Sequence, residues 1–191
     1  RELAGLLKTR PEDRVGVIVN FLGFEGARND SADLLHADGD ALSRSLGTLH
    51  IAKIFFEDLE ASAAEGEGGF FNITGLDGGL GLHVKGPITV GGSGTLGITK
   101  ALRQECLSLR VRNIDLDPAG APQVMVGRLF AEFQWDDSET AVGLDEGGRW
   151  TFRLKEAEIS HGGPFLEALD SDSVILVTGG ARGITAEVIK A

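Results

Sequence analysis

The chain of 191 residues contains no tyrosine and one cysteine, Cys106. One cysteine excludes an internal disulfide and indicates a reducing compartment, so a cytoplasmic protein is expected. No stretch approaches the roughly 18 apolar residues of a membrane-spanning helix, so no membrane segment is predicted. Basic residues are also scarce, 18 against 29 acidic ones, and the net charge is −11. That balance argues against nucleic acid or an anionic membrane surface as partner.

Apolar residues make up 42% of the chain, enough for a buried core. Strand and helix patterns alternate along it, which predicts an α/β fold with a central, mostly parallel sheet flanked by helices. A short antiparallel hairpin is expected near residues 138–158, around the turn DEGG. The predicted strands are RVGVIVNFLG (14–23), GFFNITG (69–75) and VRNIDLDP (111–118), and the predicted helices are DALSRSLGTLHIAKIFFEDLEASA (40–63), ITKALRQECLSL (98–109) and PQVMVGRLFAEFQW (122–135).

Two of these segments carry more detailed predictions. The run from Val15 to Phe21 is almost continuously apolar, which is typical of a strand covered on both faces. In the first helix, Leu42, Leu46 and Leu49 lie near helical spacing, and Asp40 or Ser43 is the predicted N-cap. Cys106 and the phenylalanines Phe70, Phe71, Phe130 and Phe133 are interpreted as core residues.

The C-terminal stretch SVILVTGGARGITAEV has the order strand, glycine turn, helix. Val174–Val177 is predicted to be a short buried strand, and a helix is predicted from about Ile184. Glycines let the backbone approach a pyrophosphate, and the free N–H groups of a helix start attract its negative charge. A plain strand-to-helix turn that uses glycine for its geometry explains the same pattern, and the spacing leaves both readings open.

This stretch resembles the start of the catalytic half of a short-chain dehydrogenase/reductase. The likeness is to the ketoreductases of type I polyketide and polyunsaturated-fatty-acid synthases, whose pattern is T-G-x-x-x-G-x-G. Thr178, Gly179 and Gly183 match the pattern, and Thr185 replaces its last glycine. The resemblance implies NADPH as cofactor, with Arg182 near its 2′-phosphate. The cofactor-binding residues it implies are Thr178, Gly179, Gly180, Ala181, Arg182, Gly183 and Ile184.

GTLGITKALRQECLSLRVRNIDLDP (94–118) resembles a segment of the structural subdomain of the same ketoreductases. That subdomain is a Rossmann-like half without catalytic residues, and it supports the catalytic half. Cys106 stands where the family usually has tryptophan. The positions that match are Gly94, Gly97, Lys100, Leu102, Glu105, Arg112, Asp115 and Leu116.

The resemblance implies a domain organisation. Residues 1–160 would form the structural subdomain, 161–173 a linker, and 174–191 the first strand and turn of the catalytic subdomain. Ketoreduction in this family needs a tyrosine as general acid, so no catalytic residue is expected here and the chain alone is predicted to be inactive. The expected partners are the catalytic subdomain and an acyl carrier protein of the same polypeptide, in a homodimeric parent.

Two alternatives remain open at this stage. The first is a free-standing nucleotide-binding module, because Gly92, Gly94 and Gly97 fit G-x-G-x-x-G before a helix, with Asp115 and Asp117 about 20 residues further on. The same glycines are also explained by a degenerate copy of this motif that is kept for folding.

The second alternative is a fragment that flanks a dehydratase, and such a fragment would lack a parallel sheet. The four histidines are not at metal-ligand spacing, so no metal site is predicted.

Overall fold

The computed structural model of the chain describes residues 13–24, 38–83, 92–157, 170, 172–177 and 183–190. The chain divides into two compact units, Arg1–Arg153 and Leu154–Ala191. Five strands of the first unit form one sheet. Their bounds are β1 Val17–Gly23, β2 Gly69–Thr74, β3 Arg110–Leu116, β4 Ala141–Asp145 and β5 Gly148–Thr151.

The strands lie in the order β1-β2-β3-β4-β5. The first four are parallel to their neighbours, and β5 pairs with β4 as an antiparallel hairpin. The predicted α/β class with a mostly parallel, Rossmann-like sheet is therefore confirmed. The parallel sheet also argues against a fragment flanking a dehydratase.

Five helices are present in the described residues: α1 Asp38–Ile54, α2 Phe56–Ala64, α3 Ser93–Glu105, α4 Pro122–Gln134 and α5 Ile184–Lys190. The single helix predicted over 40–63 is divided at Phe55, whose ψ of 10° departs from helical geometry and whose side chain is buried. Because α1 already begins at Asp38, neither Asp40 nor Ser43 is its N-cap. Pro122 occupies the first turn of α4 as predicted, where its missing N–H costs no hydrogen bond.

Helices cover the sheet on both faces, and side chains alternate between two cores. Phe70 of β2 and Val111 of β3 pack with α1, α2 and α3, and this core includes the buried Cys106. Phe71 and Ile114 point the other way and pack with Leu129 of α4. We call these the α1/α3 face and the α4 face.

The three parallel crossovers do not share one hand. Each advances in the same direction across the sheet, but the first two pass over the α1/α3 face and the third passes over the α4 face. The third crossover therefore has the opposite hand, although about 98% of such connections are right-handed. As a result, the chain leaves the neighbouring strands β2 and β3 toward opposite faces of the sheet.

β1 is an edge strand of the sheet, and among the described residues only its α1/α3 face is covered. Asn20 is buried on the α1/α3 face, whereas Val17, Val19 and Phe21 on the α4 face are about half exposed. The prediction that both faces of this strand are covered is wrong, because α4 packs over β2, β3 and β4 and leaves the side chains of Val17, Val19 and Phe21 about half exposed. Phe130 of α4 is also 62% exposed, so its assignment to the core is wrong as well.

Candidate functional site

In open parallel sheets, ligands bind at the carboxyl ends of neighbouring strands whose connections leave toward opposite faces. Here that position is the carboxyl edge between β2 and β3. The described part of the loop that follows β2, residues 75–83, lies over this edge, with Leu76 and Leu80 buried. We call it the 75–83 loop.

The 75–83 loop packs against the strand ends without intervening side chains. A Cβ atom on Gly78 would lie 2.7 Å from the Leu144 carbonyl oxygen and 2.9 Å from Asp117. A Cβ atom on Gly143 would lie 2.3 Å from the Gly78 carbonyl oxygen. Gly78 has φ +72°, which suits glycine and strains other residues. The chain's own backbone therefore fills the space where a dinucleotide would approach β3 and β4.

Two buried carboxylates hold the loop. Asp115 Oδ1 accepts the Leu76 N–H at 2.7 Å, and Asp115 Oδ2 accepts the Leu80 N–H at 2.9 Å. Asp77 accepts the backbone N–H groups of Gly79, Gly81 and His83 at 2.7–2.8 Å. Asp115 and Asp117 were the acidic residues expected about 20 positions after the glycines in the Gly92–Gly97 alternative, and both oxygens of Asp115 are engaged by the protein itself.

Burial dominates the electrostatics of Asp115, which is fully inaccessible to solvent. Its desolvation raises the pKa above the ordinary aspartate value. The hydrogen bonds from Leu76, Leu80 and Thr74 oppose this shift and do not cancel it. The groups that donate hydrogen bonds to Asp115 therefore stabilise its ionised form, but the loss of hydration on burial destabilises that form by more.

A ladder of asparagines crosses the sheet toward Asp115. Asn20, Asn72 and Asn113 are direct neighbours in register on β1, β2 and β3, and all three are buried. Asn20 Nδ2 donates to Asn72 Oδ1 at 2.8 Å, and Asn72 Nδ2 donates to Asn113 Oδ1 at 2.7 Å. Asn113 Nδ2 donates to Thr74 Oγ1 at 3.1 Å, and this hydroxyl donates to Asp115 Oδ1 at 3.0 Å. Every donor points toward the carboxylate, so the bonds polarise one another.

The helices above the sheet complete this network. Thr48 of α1 accepts a second hydrogen bond from Asn20 at 2.9 Å, and Thr95 of α3 accepts one from Asn72 at 2.9 Å. Both threonines are fully buried. A network that is satisfied in this way fixes the register of strands and helices.

The glycines of the Gly92–Gly97 turn pack against the protein. A Cβ atom on Gly92 would lie 2.5 Å from the Gly23 carbonyl oxygen, and one on Gly94 would lie 2.2 Å from Ser45 Oγ. Gly97 faces open space. The run Ile88–Val90 before this turn lies outside the described residues. The geometry favours close packing of α3 on β1 and α1 as the role of these two glycines.

His83 and Trp150 lie beside the loop. Their rings meet edge to face with centroids 4.8 Å apart. His83 Nδ1 is 3.3 Å from Asp145 Oδ2 but is not aligned for a hydrogen bond. Asp145 Oδ1 accepts the Gly147 and Gly148 N–H groups and the Trp150 indole N–H at 2.8–3.0 Å. This carboxylate therefore shapes the β4–β5 turn.

On the α4 face, Arg112 centres a second buried network. Its guanidinium is 1% exposed and donates to Glu132 Oε1 at 2.5 Å and to the Trp135 carbonyl at 3.0 Å. It also donates to Asp137 and to the Glu139 carbonyl. Arg149 binds the other oxygen of Glu132 at 2.7 Å. All of these groups satisfy one another, which is typical of a structural cluster.

The pKa values of this cluster follow from its pairing. The hydrogen bond to Glu132 raises the pKa of Arg149, and the charges of Glu132 and Asp137 add to the shift. For Asp137, desolvation raises the pKa, but the Glu139 N–H and the charges of Arg112 and Arg149 outweigh it and lower the pKa. Both pKa shifts favour the charged forms of Arg149 and Asp137.

The nearby groove of about 720 Å³ at the amino ends of the strands is lined by Val17, Val19, Phe71, Arg110 and Phe133, among others. It lies at the end of the sheet opposite the carboxyl edge. It is bordered by the exposed residues of β1.

The C-terminal glycine turn lies mostly outside the described residues. The predicted cofactor-binding residues that lie outside the described residues are Thr178, Gly179, Gly180, Ala181 and Arg182. Gly183 is described, has φ +71° and is exposed, and Ile184 begins α5 with 85% of its surface exposed. Val174–Val177 is not a buried strand: its side chains are 40–97% exposed, and it has no strand partner among the described residues. A strand needs a neighbour to satisfy its backbone.

No family model, curated protein or solved structure matches this chain. Within the described ranges, no three histidine, cysteine or acidic side chains are arranged to hold a metal ion. No helix in those ranges has the length and apolar character to cross a membrane.

The asparagine ladder was not predicted from the sequence, although the sequence carries a signal for it. Each of the three strands has an asparagine inside its apolar run, in VNF (19–21), FNI (71–73) and RNI (112–114). A polar residue that recurs inside three predicted strands of one sheet indicates side chains that bond to one another. The role of Asp77 had no comparable signal, because its partners are backbone groups of its own loop.

Proposed function

We propose that this chain is the structural, non-catalytic subdomain of an NADPH-dependent β-ketoacyl reductase. The parent is a cytoplasmic multidomain polyketide or polyunsaturated-fatty-acid synthase that reduces a β-ketoacyl group held on its acyl carrier protein. The chain binds and stabilises the catalytic half, which holds the NADPH. The turn from Thr178 to Ile184 contributes the start of that cofactor site.

One observation carries the proposal: the carboxyl edge between β2 and β3 is filled by the chain's own 75–83 loop. Asp115 and Asp77 hold this loop with buried backbone hydrogen bonds, and Gly78 contacts the strand ends directly. An α/β sheet whose ligand position is filled supports a role in structure over a role in cofactor binding.

The exposed residues of β1 on the α4 face support contact with another protein domain. Val17, Val19 and Phe21 are 42–52% exposed beside the groove on the α4 face. The exposed Phe130 continues this apolar surface, because Phe133 bridges it to Phe71, the register neighbour of Val19. Exposed apolar patches of this kind mark interaction sites.

The first test is titration of the chain with NADPH, followed by addition of a β-ketoacyl thioester. We expect neither binding up to about 1 mM, a dissociation constant that corresponds to about −4 kcal/mol, nor oxidation of the cofactor. Micromolar binding that Gly97→Val abolishes would favour the nucleotide-binding alternative. Turnover by the chain alone would refute the proposal.

The second test measures support of a catalytic half. The reductase catalytic half of such a synthase is prepared with and without this chain, and its melting temperature and ketoreductase rate are compared. We expect both to rise in the presence of the chain. Val19→Asp should abolish the gain, whereas Val124→Asp, at a valine of α4 that is 43% exposed and is not among the groove's lining residues, should preserve it. Equal activity with and without the chain would contradict a supporting role.

A further inference from the structure

The groove at the amino ends of the strands has an apolar wall and a concave shape. Val17 and Val19 of β1 lie on this wall, and the ring of Phe71, packed against Phe133, continues it. Loops 66–68, 107–109 and 136–139 contribute the rest of the lining together with the strands and α4. The volume of about 720 Å³ lies in the range of about 300–1,000 Å³ that small-molecule sites occupy. We call it the amino-end groove.

Two partly buried arginines of the amino-end groove use few of their hydrogen-bond donors. The Arg110 guanidinium lies over the Phe71 ring, with its Cζ 5.4 Å from the ring centroid. Its Nη2 donates to the Trp135 carbonyl oxygen, whereas its Nε–H is buried and has no acceptor among the described residues. Arg103 donates to the Leu107 carbonyl oxygen. An arginine carries five N–H donors, so most of those on Arg110 remain available to an acceptor from outside the chain.

A structural role does not account for these donors. Arg112, two positions along on the same side of β3, already binds the end of α4 and the loop after it through Glu132, Trp135 and Asp137. All three nitrogens of Arg112 have acceptors, as is usual for a guanidinium that serves the fold. Arg110 repeats only the contact with Trp135.

The charges around the amino-end groove favour an anion close to Arg110. Asp137 and Glu139 also line the groove, but both are bound by arginines of the buried network and the hairpin. The other acidic lining residues, Glu67 and Asp136, are exposed to solvent. Water and salt screen exposed charges more strongly than partly buried ones. The attraction of Arg110 for an anion inside the groove therefore exceeds the repulsion from its rim.

We propose that the amino-end groove binds a small molecule that has an aliphatic body and one carboxylate. The carboxylate binds the Arg110 guanidinium, whose planar fork matches its geometry. The aliphatic body lies on Val17, Val19 and the ring of Phe71 and covers apolar surface that is otherwise open to water. This inference goes beyond the proposed function, because support of a catalytic half needs no small molecule.

Titration of the full chain with octanoate, followed by calorimetry and by amide NMR shifts, tests the inference. We expect a dissociation constant of about 0.1–1 mM, which is reasonable for so small a ligand. Octanol has the same chain without the charge, and it should bind at least tenfold more weakly. The amide shifts caused by octanoate should centre on Val17, Phe71 and Arg110.

Arg110→Met removes the guanidinium and keeps an apolar stem. This variant should bind octanoate at least tenfold more weakly than the wild type, with an affinity close to that for octanol. Arg128→Met is the matched control, because Arg128 is also partly buried, donates to the Glu146 carbonyl oxygen and does not line the groove. It should leave octanoate binding unchanged. Equal melting temperatures of the two variants show that both fold.

Three results would overturn the proposal. They are the absence of octanoate binding up to about 10 mM, equal affinities of the wild type for octanoate and octanol, and shifts that centre on Leu49 and Ile98 in the groove between α1 and α3. All three concern the wild-type chain, so they decide the question even if Arg110→Met fails to fold. Support of the catalytic half is measured without octanoate, so its outcome is separate.

Discussion

Asn72 Nδ2 donates to Asn113 Oδ1 at 2.7 Å across the paired strands β2 and β3, and both side chains are fully buried. The same amide of Asn72 also binds Thr95, and its oxygen accepts from Asn20. One side chain thus connects three strands and a helix. Its loss would leave several buried polar groups without partners.

We expect Asn72→Ala to lower the free energy of unfolding by about 2–4 kcal/mol, because unpaired buried amides keep their full desolvation cost. Urea denaturation followed by circular dichroism measures this change. Gln104→Ala removes an amide from an exposed position of α3 and should cost less than about 0.5 kcal/mol. Similar values for the two variants would show that the ladder contributes little to stability.

Asp115 should make the free energy of unfolding depend on pH in a way that can be measured. Its pKa is raised in the folded state by burial, so the folded protein holds the proton more tightly than the unfolded chain does. Protonation therefore stabilises the fold relative to the ionised form, and this contribution is lost as the pH rises through the folded pKa. Other carboxylates such as Asp137, with a lowered pKa, act in the opposite direction.

Comparison with Asp115→Asn isolates this contribution. The variant should be less stable at pH 7, because an amide cannot accept all the N–H groups that hold the 75–83 loop. The deficit should grow as the pH falls from 7 toward the ordinary aspartate value of about 3.9, since only the wild type gains from protonation. Unfolding free energies at several pH values measure it. A deficit that shrinks on acidification would contradict the raised pKa.

Arg112→Lys should destabilise the protein by about 2–4 kcal/mol although the charge is kept. A lysine cannot reproduce the planar fork that reaches Glu132, Asp137 and several carbonyl groups at once. The loss should persist in 0.5 M salt, because the site is buried. Arg153→Lys, at a side chain that is 71% exposed, should change stability by less than about 0.5 kcal/mol. Equal effects would argue against a structural role for the buried network.

Gly92 and Gly97 belong to the same motif, but replacing each with alanine should change the stability of the protein in opposite directions. Gly92→Ala drives a methyl group against the Gly23 carbonyl oxygen and should cost about 1–3 kcal/mol. Gly97→Ala adds a methyl group in open space inside α3 and should stabilise by about 0.5–1 kcal/mol. Thermal unfolding of both variants gives the comparison. A neutral Gly92→Ala would remove the packing explanation for this glycine.

The sequence predicted the strands β2 and β3 and the helices α3 and α4, because their periodicity and boundary residues agree. Prediction from the sequence was less successful where apolar residues lie on an exposed face and not in the core. The apolar run of β1 is that of a covered strand, yet Val17 and Val19 are exposed. The leucines that indicated α1 are also exposed, whereas Thr48 occupies the core. Hydrophobic spacing reports that a face exists and does not report what covers it.

The sequence by itself determined the α/β class, the mainly parallel sheet, the closing hairpin and the absence of an internal disulfide. These follow from local periodicity and composition, which act over a few residues. Only the tertiary structure decided that Asp115 holds a loop through Leu76 and Leu80 and that Gly92 packs on Gly23. Those relationships join residues that are 35–69 positions apart, and their distances depend on how all five strands and their helices pack together.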